Sequence, residues 1–252
     1  MTFSVPAESY DRFIGRYSRE LAPRFLDFAA FGEGPALDVG CGPGSLAAAL
    51  AERIGAAQVA AVDVAEPFVA ECRARVPGAD VRVAPAEDLP FGDGSFRVVL
   101  SQLVLSFVRG PERAAAEMRR VARAGGTVAA CTFEADGFAL ARTFWTAALR
   151  FDPAAPDDAA LPFRRLDELE RLWSGAGLRD VVTGVLEIDA AYDDFDDFWL
   201  PFAAGVGPTV TYLAAQTGER RAAIREACRE LLGCPAGPFR LPARVLAIRG
   251  RA

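Results

Sequence analysis

Three glycines stand at alternate positions in the stretch Ala36-Leu-Asp-Val-Gly-Cys-Gly-Pro-Gly-Ser-Leu-Ala-Ala-Ala-Leu50, and Asp38 lies two residues before the first of them. An apolar run enters this turn and an Ala/Leu-rich run leaves it, the pattern of a strand that becomes a helix. Such a turn brings a ligand against bare backbone and offers it a helix N-terminus. The spacing Gly40, Gly42, Gly44 is GxGxG, whereas the dinucleotide fingerprint is GxGxxG, with its third glycine packing helix on strand. A buried carboxylate at position 38 would repel a pyrophosphate and suits a ligand with an amino-acid end. A phosphate-binding P-loop needs Lys, and the chain has none. About 20 residues beyond the glycines, Asp63 ends the run Val-Ala-Ala-Val-Asp-Val, where a carboxylate can accept from ribose hydroxyls. Two plainer readings stand beside these: glycines that only make a tight turn, and an aspartate that only caps the next helix.

The rest of the composition narrows the chemistry. The chain of 252 residues has no His, so the usual side-chain base is absent, and its five scattered cysteines (Cys41, Cys72, Cys131, Cys228, Cys234) make no metal-binding pattern. All 28 basic residues are Arg and 34 residues are acidic, for a net charge of −6, which is not the footprint of a nucleic-acid binder. No apolar run approaches the ~18 residues of a membrane span, and the first residues lack a signal-peptide pattern. A cytoplasmic protein without membrane contact is expected; oligomeric state is open.

Strands are expected at Ala36 to Val39, Val59 to Val64, Asp80 to Ala84, Val98 to Ser101, Gly126 to Phe133, Leu178 to Ile188 and Ala243 to Arg249. Between them, helical spacing marks Ser45 to Ile54, Pro67 to Arg75, Pro111 to Ala124 and Leu166 to Ala176, and an opening helix spans Tyr10 to Ala30. This alternation predicts an α/β fold: a doubly wound, seven-stranded, mostly parallel Rossmann-like sheet. Segments 134–163 and 189–238 interrupt the rhythm and are expected to be helical lid insertions. With an N-terminal helical segment, 1–33, they belong to a single domain, 1–252.

At these residues the chain resembles the class I S-adenosylmethionine-dependent methyltransferases, in particular the type 11 small-molecule group. "LDVGCGPG" is similar to that family's motif I, "VDV" to motif II, "APAEDLPFGDGSFRVVLSQLVL" to the segment through the adenine pocket and fourth strand, and "RRVARAGGTVAACTF" to the fifth-strand motif. The resemblance implies S-adenosyl-L-methionine as cofactor, with Gly40 and Gly42 on its methionine part, Asp63 on the ribose, and the Ala86-Glu87 turn on the adenine. Cys41 and Gly44 in the turn, Val64 beside Asp63, and Ser101 and Gln102 at the fourth strand complete the candidate cofactor set. The chain departs from the pattern at Pro85-Ala86-Glu87, where an aspartate is usual, at Arg97, and at Ser106, where many relatives carry histidine.

Other assignments stay double. Tyr10, Arg16 and Tyr17 either fold over the methionine carboxylate or belong to an ordinary amphipathic helix. Phe68 either stacks on the adenine or is core. Tyr192, Trp199, Phe202 and Tyr212 either roof the acceptor site or form a buried stripe. The expected activity is methyl transfer to a small acceptor, under a lid, with the catalytic group unassigned and no metal. The alternatives are a non-methylating binder of the same cofactor and an NAD-dependent oxidoreductase.

Overall fold

The computed structural model describes residues 10–157, 161–204 and 207–252; the portions of the expected N-terminal and lid segments at 1–9, 158–160 and 205–206 lie outside them. A π-helical turn, Asp11–Gly15, runs directly into α1 (Arg16–Ala29). Then come β1 (Ala36–Val39), α2 (Ser45–Ile54), β2 (Val59–Asp63), α3 (Glu66–Arg75) and β3 (Asp80–Val83). Next are β4 (Phe96–Gln102), α4 (Pro111–Val121) and β5 (Ala122–Phe138). The remainder is α5 (Ala139–Leu149), α6 (Leu166–Gly175), β6 (Arg179–Tyr192), α7 (Phe195–Ala204), α8 (Pro208–Ala214), α9 (Gly218–Leu231) and β7 (Phe239–Arg251).

The described strands form one seven-stranded sheet in the order β3-β2-β1-β4-β5-β7-β6. Strands β1 to β5 pair in parallel, and β7 runs antiparallel between β5 and β6. The order reverses at β1, which has β2 on one side and β4 on the other. A ligand crevice therefore opens where the chain leaves β1 and β4.

Alternation along β1 sends its side chains to opposite faces, and each face builds a core. Leu37 and Val39 join Met118 of α4 and Trp173 of α6, whose indole donates to the Val128 carbonyl at 3.2 Å. Ala36 joins Tyr17, Leu21 and Phe25 of α1 and Leu46 and Leu50 of α2 on the other face. Helix α4 is representative of how these elements form: Ala114, Ala115, Met118 and Val121 are one buried stripe on an otherwise charged helix.

One feature departs from the sequence expectation. Strands β5, β6 and β7 are longer than their apolar runs, because β6 and β7 continue as a ribbon as far as Tyr192 opposite Phe239. Along that ribbon Ile188, Ala190 and Tyr192 are buried while the residues between them are exposed, a one-sided pattern. The segment 134–163, expected to be helical, contains α5, with Leu140, Ala141, Phe144, Trp145, Ala147 and Ala148 buried.

Candidate active site

The turn after β1 is fixed from below. The amides of Gly40 and Cys41 both donate to the Val62 carbonyl of β2, at 2.8 and 2.9 Å, and the Gly44 amide closes the turn on the Cys41 carbonyl at 3.0 Å. Gly40 has φ +76°, and a methyl group on it would lie 2.5 Å from a Val104 methyl. Gly44 has φ +94°, and a methyl group there would meet Cys72 at 2.9 Å from its Sγ and 3.2 Å from its Cα. The first glycine thus makes room for the chain leaving β4, and the third lets α3 pack against the turn.

Asp63 completes this base. Its Oδ2 accepts the Gly42 amide at 2.9 Å and its Oδ1 accepts the Ala65 amide at 2.9 Å. Burial raises its pKa, and the backbone amides oppose that rise. Asp38 is fully buried, and neither carboxylate oxygen has a hydrogen-bond partner. Its pKa is pushed up to about 8, first by burial and then by the charge of Asp63, while the Ala47 amide offsets a little without reaching hydrogen-bond geometry. Tyr10 and Cys131 also feel the Asp38 charge.

Over the turn lies a cavity of about 670 Å³. Tyr10, Gly40, Gly42, Asp63, Val64, Phe68, Ala86 and Glu87, all expected from sequence, line it. Tyr10 and Phe68 face each other with ring centroids 5.2 Å apart. Glu87 Oε1 accepts the Gly110 amide at 3.1 Å, and its carbonyl accepts Arg113 Nε at 2.7 Å, which ties this wall to the start of α4.

The other expected site residues are not among the described residues lining the cavity. Arg16 is committed elsewhere: its guanidinium forks onto Asp197 at 3.0 and 2.9 Å, donates to the Ala191 carbonyl at 2.7 Å and sits 4.3 Å above the Tyr192 ring. Tyr17 is fully buried, its hydroxyl 3.1 Å from that of Tyr192. Ser101 donates to the Val39 carbonyl at 2.9 Å, and Gln102 Nε2 to the Ser18 carbonyl at 3.1 Å, so both serve the packing of β4. Cys41 is buried against Cys72, and Gly44 faces α3 rather than the cavity.

The expected acceptor roof also needs correction. Phe202 stacks on Phe144 at 4.8 Å and meets Phe13 edge-on at 5.6 Å, so Phe13 lines the cavity and Phe202 lies one layer behind it. Tyr192 stacks on Phe239 at 5.3 Å. Tyr212 packs on Trp145 at 5.5 Å and donates to Asp152 at 3.0 Å. Trp199 and Phe202 instead border a separate recess of about 240 Å³ between α7, α8 and α9. These aromatics are core because they tie α5, α7 and α8 together.

In their place, segments 134–163 and 189–238 contribute Phe138, Ala141, Leu161, Pro208 and Thr209, and Arg164 adds a buried guanidinium. Leu103, Val104 and Thr132 enter from the ends of β4 and β5, with Arg109 and Arg113 beyond them. The rule that ligands sit at the carboxyl ends of parallel strands marks Leu103, Val104 and Thr132. For Arg164 and Thr209 no local sequence signal exists.

A family model described as a methyltransferase domain matches residues 37–130. The chain is 33% identical over 184 residues to a malonyl-[acyl-carrier protein] O-methyltransferase of Geobacter sulfurreducens, covering 71% of this chain and 69% of that protein. It is 28% identical over 195 residues to the protein of the same name from Pseudescherichia vulneris, covering 76% and 72%. A solved phosphoethanolamine N-methyltransferase 2 of Haemonchus contortus, in complex with S-adenosylhomocysteine, superposes with TM-score 0.58 at 16% identity, over 100% of this chain and 60% of that one. The [4+2]-cyclase SpnF gives TM-score 0.52 at 18% identity over 94% and 80%. At such identities the two structures show a shared fold.

Proposed function

Because the chain belongs to the class I S-adenosylmethionine-dependent methyltransferases, we propose that it methylates an oxygen atom of a small acceptor bound in the 670 Å³ cavity. The cofactor supplies a methyl group on a sulfonium, already activated toward any nucleophile placed in line with it. The residues present fit that cofactor. Asp38 lies on β1 two residues before the turn, fully buried and outside the cavity lining; its carboxylate oxygens have no partners, and a cationic amino group that reached them would satisfy them. Gly40 and Gly42 present backbone to the cavity, Asp63 presents a carboxylate edge, and Ala86 and Glu87 form a wall beside Phe68.

The observation that carries the proposal is the continuity of this cavity from Gly42 and Asp63 to Phe138, Leu161 and Arg164. One end suits a nucleoside with an amino-acid arm; the other is apolar with one buried cation. Among the described lining residues, Asp63 is tied to two amides and Glu87 to one, and burial raises the Tyr10 phenol so that it stays protonated. The protein's task is then to orient the acceptor and exclude water, and the acceptor must bring its own competent lone pair. Oxygen methylation is also what the names of the two relatives above state of those proteins.

Label transfer from methyl-labelled S-adenosylmethionine to a panel of carboxylic acids, acyl thioesters, phenols and amines tests this reading. The expected product carries label on oxygen. Label found on amines alone, with every oxygen acceptor unlabelled, would overturn it.

A further inference from the structure

The cavity wall built by residues 84–89 has an uneven supply of hydrogen-bonding groups. At its ends the amides are paired: Ala84 donates to the Asp63 carbonyl at 3.0 Å, Asp88 to the Pro85 carbonyl at 3.2 Å and Leu89 to Glu117 Oε2 at 2.9 Å. Between them Pro85 has no N–H, and the half-buried Ala86 and Glu87 have amides without a partner among the described residues. Two cations line this end as well. Arg113 uses only Nε, on the Glu87 carbonyl at 2.7 Å, and Arg109 has no ion pair among the described residues.

Three acceptors of the same wall already serve protein donors. The Pro85 carbonyl takes the Asp88 amide, the Glu87 carbonyl takes Arg113, and Glu87 Oε1 takes the Gly110 amide at 3.1 Å. The Glu87 side chain lies along the start of α4, its Cγ 3.5 Å from where a β carbon on Gly110 would stand. Pro85 lines the cavity at the stretch where the family usually has an aspartate, and it brings ring carbons and no side-chain acceptor. It is exposed, so an amino group beside it keeps its water and loses little by going unpaired.

An adenine offers such a wall two kinds of group: ring nitrogens, which accept, and an exocyclic amino group, which donates. Unpaired amides and guanidinium N–H groups complement the first and not the second. We propose that this chain reads the purine of its cofactor through ring nitrogens and leaves the exocyclic amino group unread, with Pro85 setting that relaxed specificity. Purine nucleoside thioethers altered at the amino position are then bound nearly as well as the adenine compound. The inference rests on the placement of the cofactor's base beside Phe68, Ala86 and Glu87.

Calorimetry on the protein compares S-adenosylhomocysteine with its deamino analogue, in which purine replaces adenine, and with analogues in which N1, N3 or N7 is replaced by C–H. The deamino analogue is expected to bind within ~3-fold of the parent, whereas an amino group held by a carboxylate would make it ~10–100-fold weaker. At least one ring-nitrogen analogue should bind ~3–10-fold more weakly than the parent. Pro85→Asp supplies the missing acceptor at an exposed loop position and should create a ~10-fold preference for the amino group. Glu87→Gln should move the affinities for the parent and the deamino analogue together. A wild-type preference for the amino group above ~3-fold, or one that Glu87→Gln removes, would overturn the proposal and leave the cofactor placement standing. Ring-nitrogen analogues that all bind like the parent, or a folded Pro85→Asp that gains no preference, would overturn it by putting the base elsewhere. Failure of S-adenosylhomocysteine to bind at all would strike the placement itself, and the proposal with it.

Discussion

The carboxylate of Asp63 accepts the amide of Gly42 at 2.9 Å, so the residue that ends β2 sets the shape of the turn that follows β1. It holds the Ala65 amide as well, and is therefore both scaffold and lining of the cavity. Asp63→Ala should cost stability, about 1–3 kcal/mol for each amide left unpaired, and weaken S-adenosylhomocysteine binding by ~10–100-fold. Denaturant melts and calorimetry on the same preparation separate the two losses. Full affinity in a destabilised variant would confine Asp63 to the scaffold role.

Asp38 links the site to pH. Its pKa of about 8 lies above the ~3.9 of an unfolded aspartate. Between those values the folded chain keeps a proton that the unfolded chain has released, so this residue makes stability fall as pH rises from about 4 to 8. Asp38→Asn should remove that slope and leave the variant more stable than wild type at pH 8. If a cationic amino group docks at Asp38, binding of S-adenosylhomocysteine near pH 7 should release protons in wild type and not in Asp38→Asn, as calorimetry in two buffers of different ionisation enthalpy would reveal.

Gly40 and Val104 form a testable pair. Gly40→Ala places a methyl 2.5 Å from the Val104 side chain and forces alanine to φ +76°, the backbone part costing about 1–2 kcal/mol. Val104→Ala in the same chain should recover the steric part and leave the backbone part. A double-mutant cycle from thermal melts reads the difference; additive losses would show that the clash relaxes by another route.

Phe202 tests the corrected reading of the lid aromatics. Stacked on Phe144 and touching the cavity only through Phe13, it should behave as core: Phe202→Ala is expected to destabilise by about 3–5 kcal/mol while the folded fraction binds S-adenosylhomocysteine normally. A stable variant with a raised KM for the acceptor would return it to the site.

The glycine-turn half of the cavity was legible in the sequence because its parts are local: a strand, three glycines at fixed spacing and an aspartate at the end of the next strand. The opposite half was not, since Arg164 and Thr209 reach the cavity only after α5, α7 and α8 have packed, and nothing in their neighbours' types announces it. Arg16 and Tyr17 show the same limit in reverse. An arginine and a tyrosine near a ligand turn read as ligand contacts, yet β6 and α7 arrive from far along the chain and take both. The aromatic run from Tyr192 to Phe202 has helical spacing, which marks burial without saying what it is buried against.

Arg16 and Tyr17 are consecutive, and they fasten α1 to partners 181 and 175 residues away through an ion-pair fork and a hydroxyl pair. Tyr10, Phe13 and Ile14, on the turn that leads into that helix, cover the cavity. Neither fastening can yield alone, because a displacement of α1 large enough to part Arg16 from Asp197 also carries Tyr17 from Tyr192. Ligand exchange that requires this cover to part from the cavity is therefore expected to follow one exponential rate, as stopped-flow binding of S-adenosylhomocysteine would read.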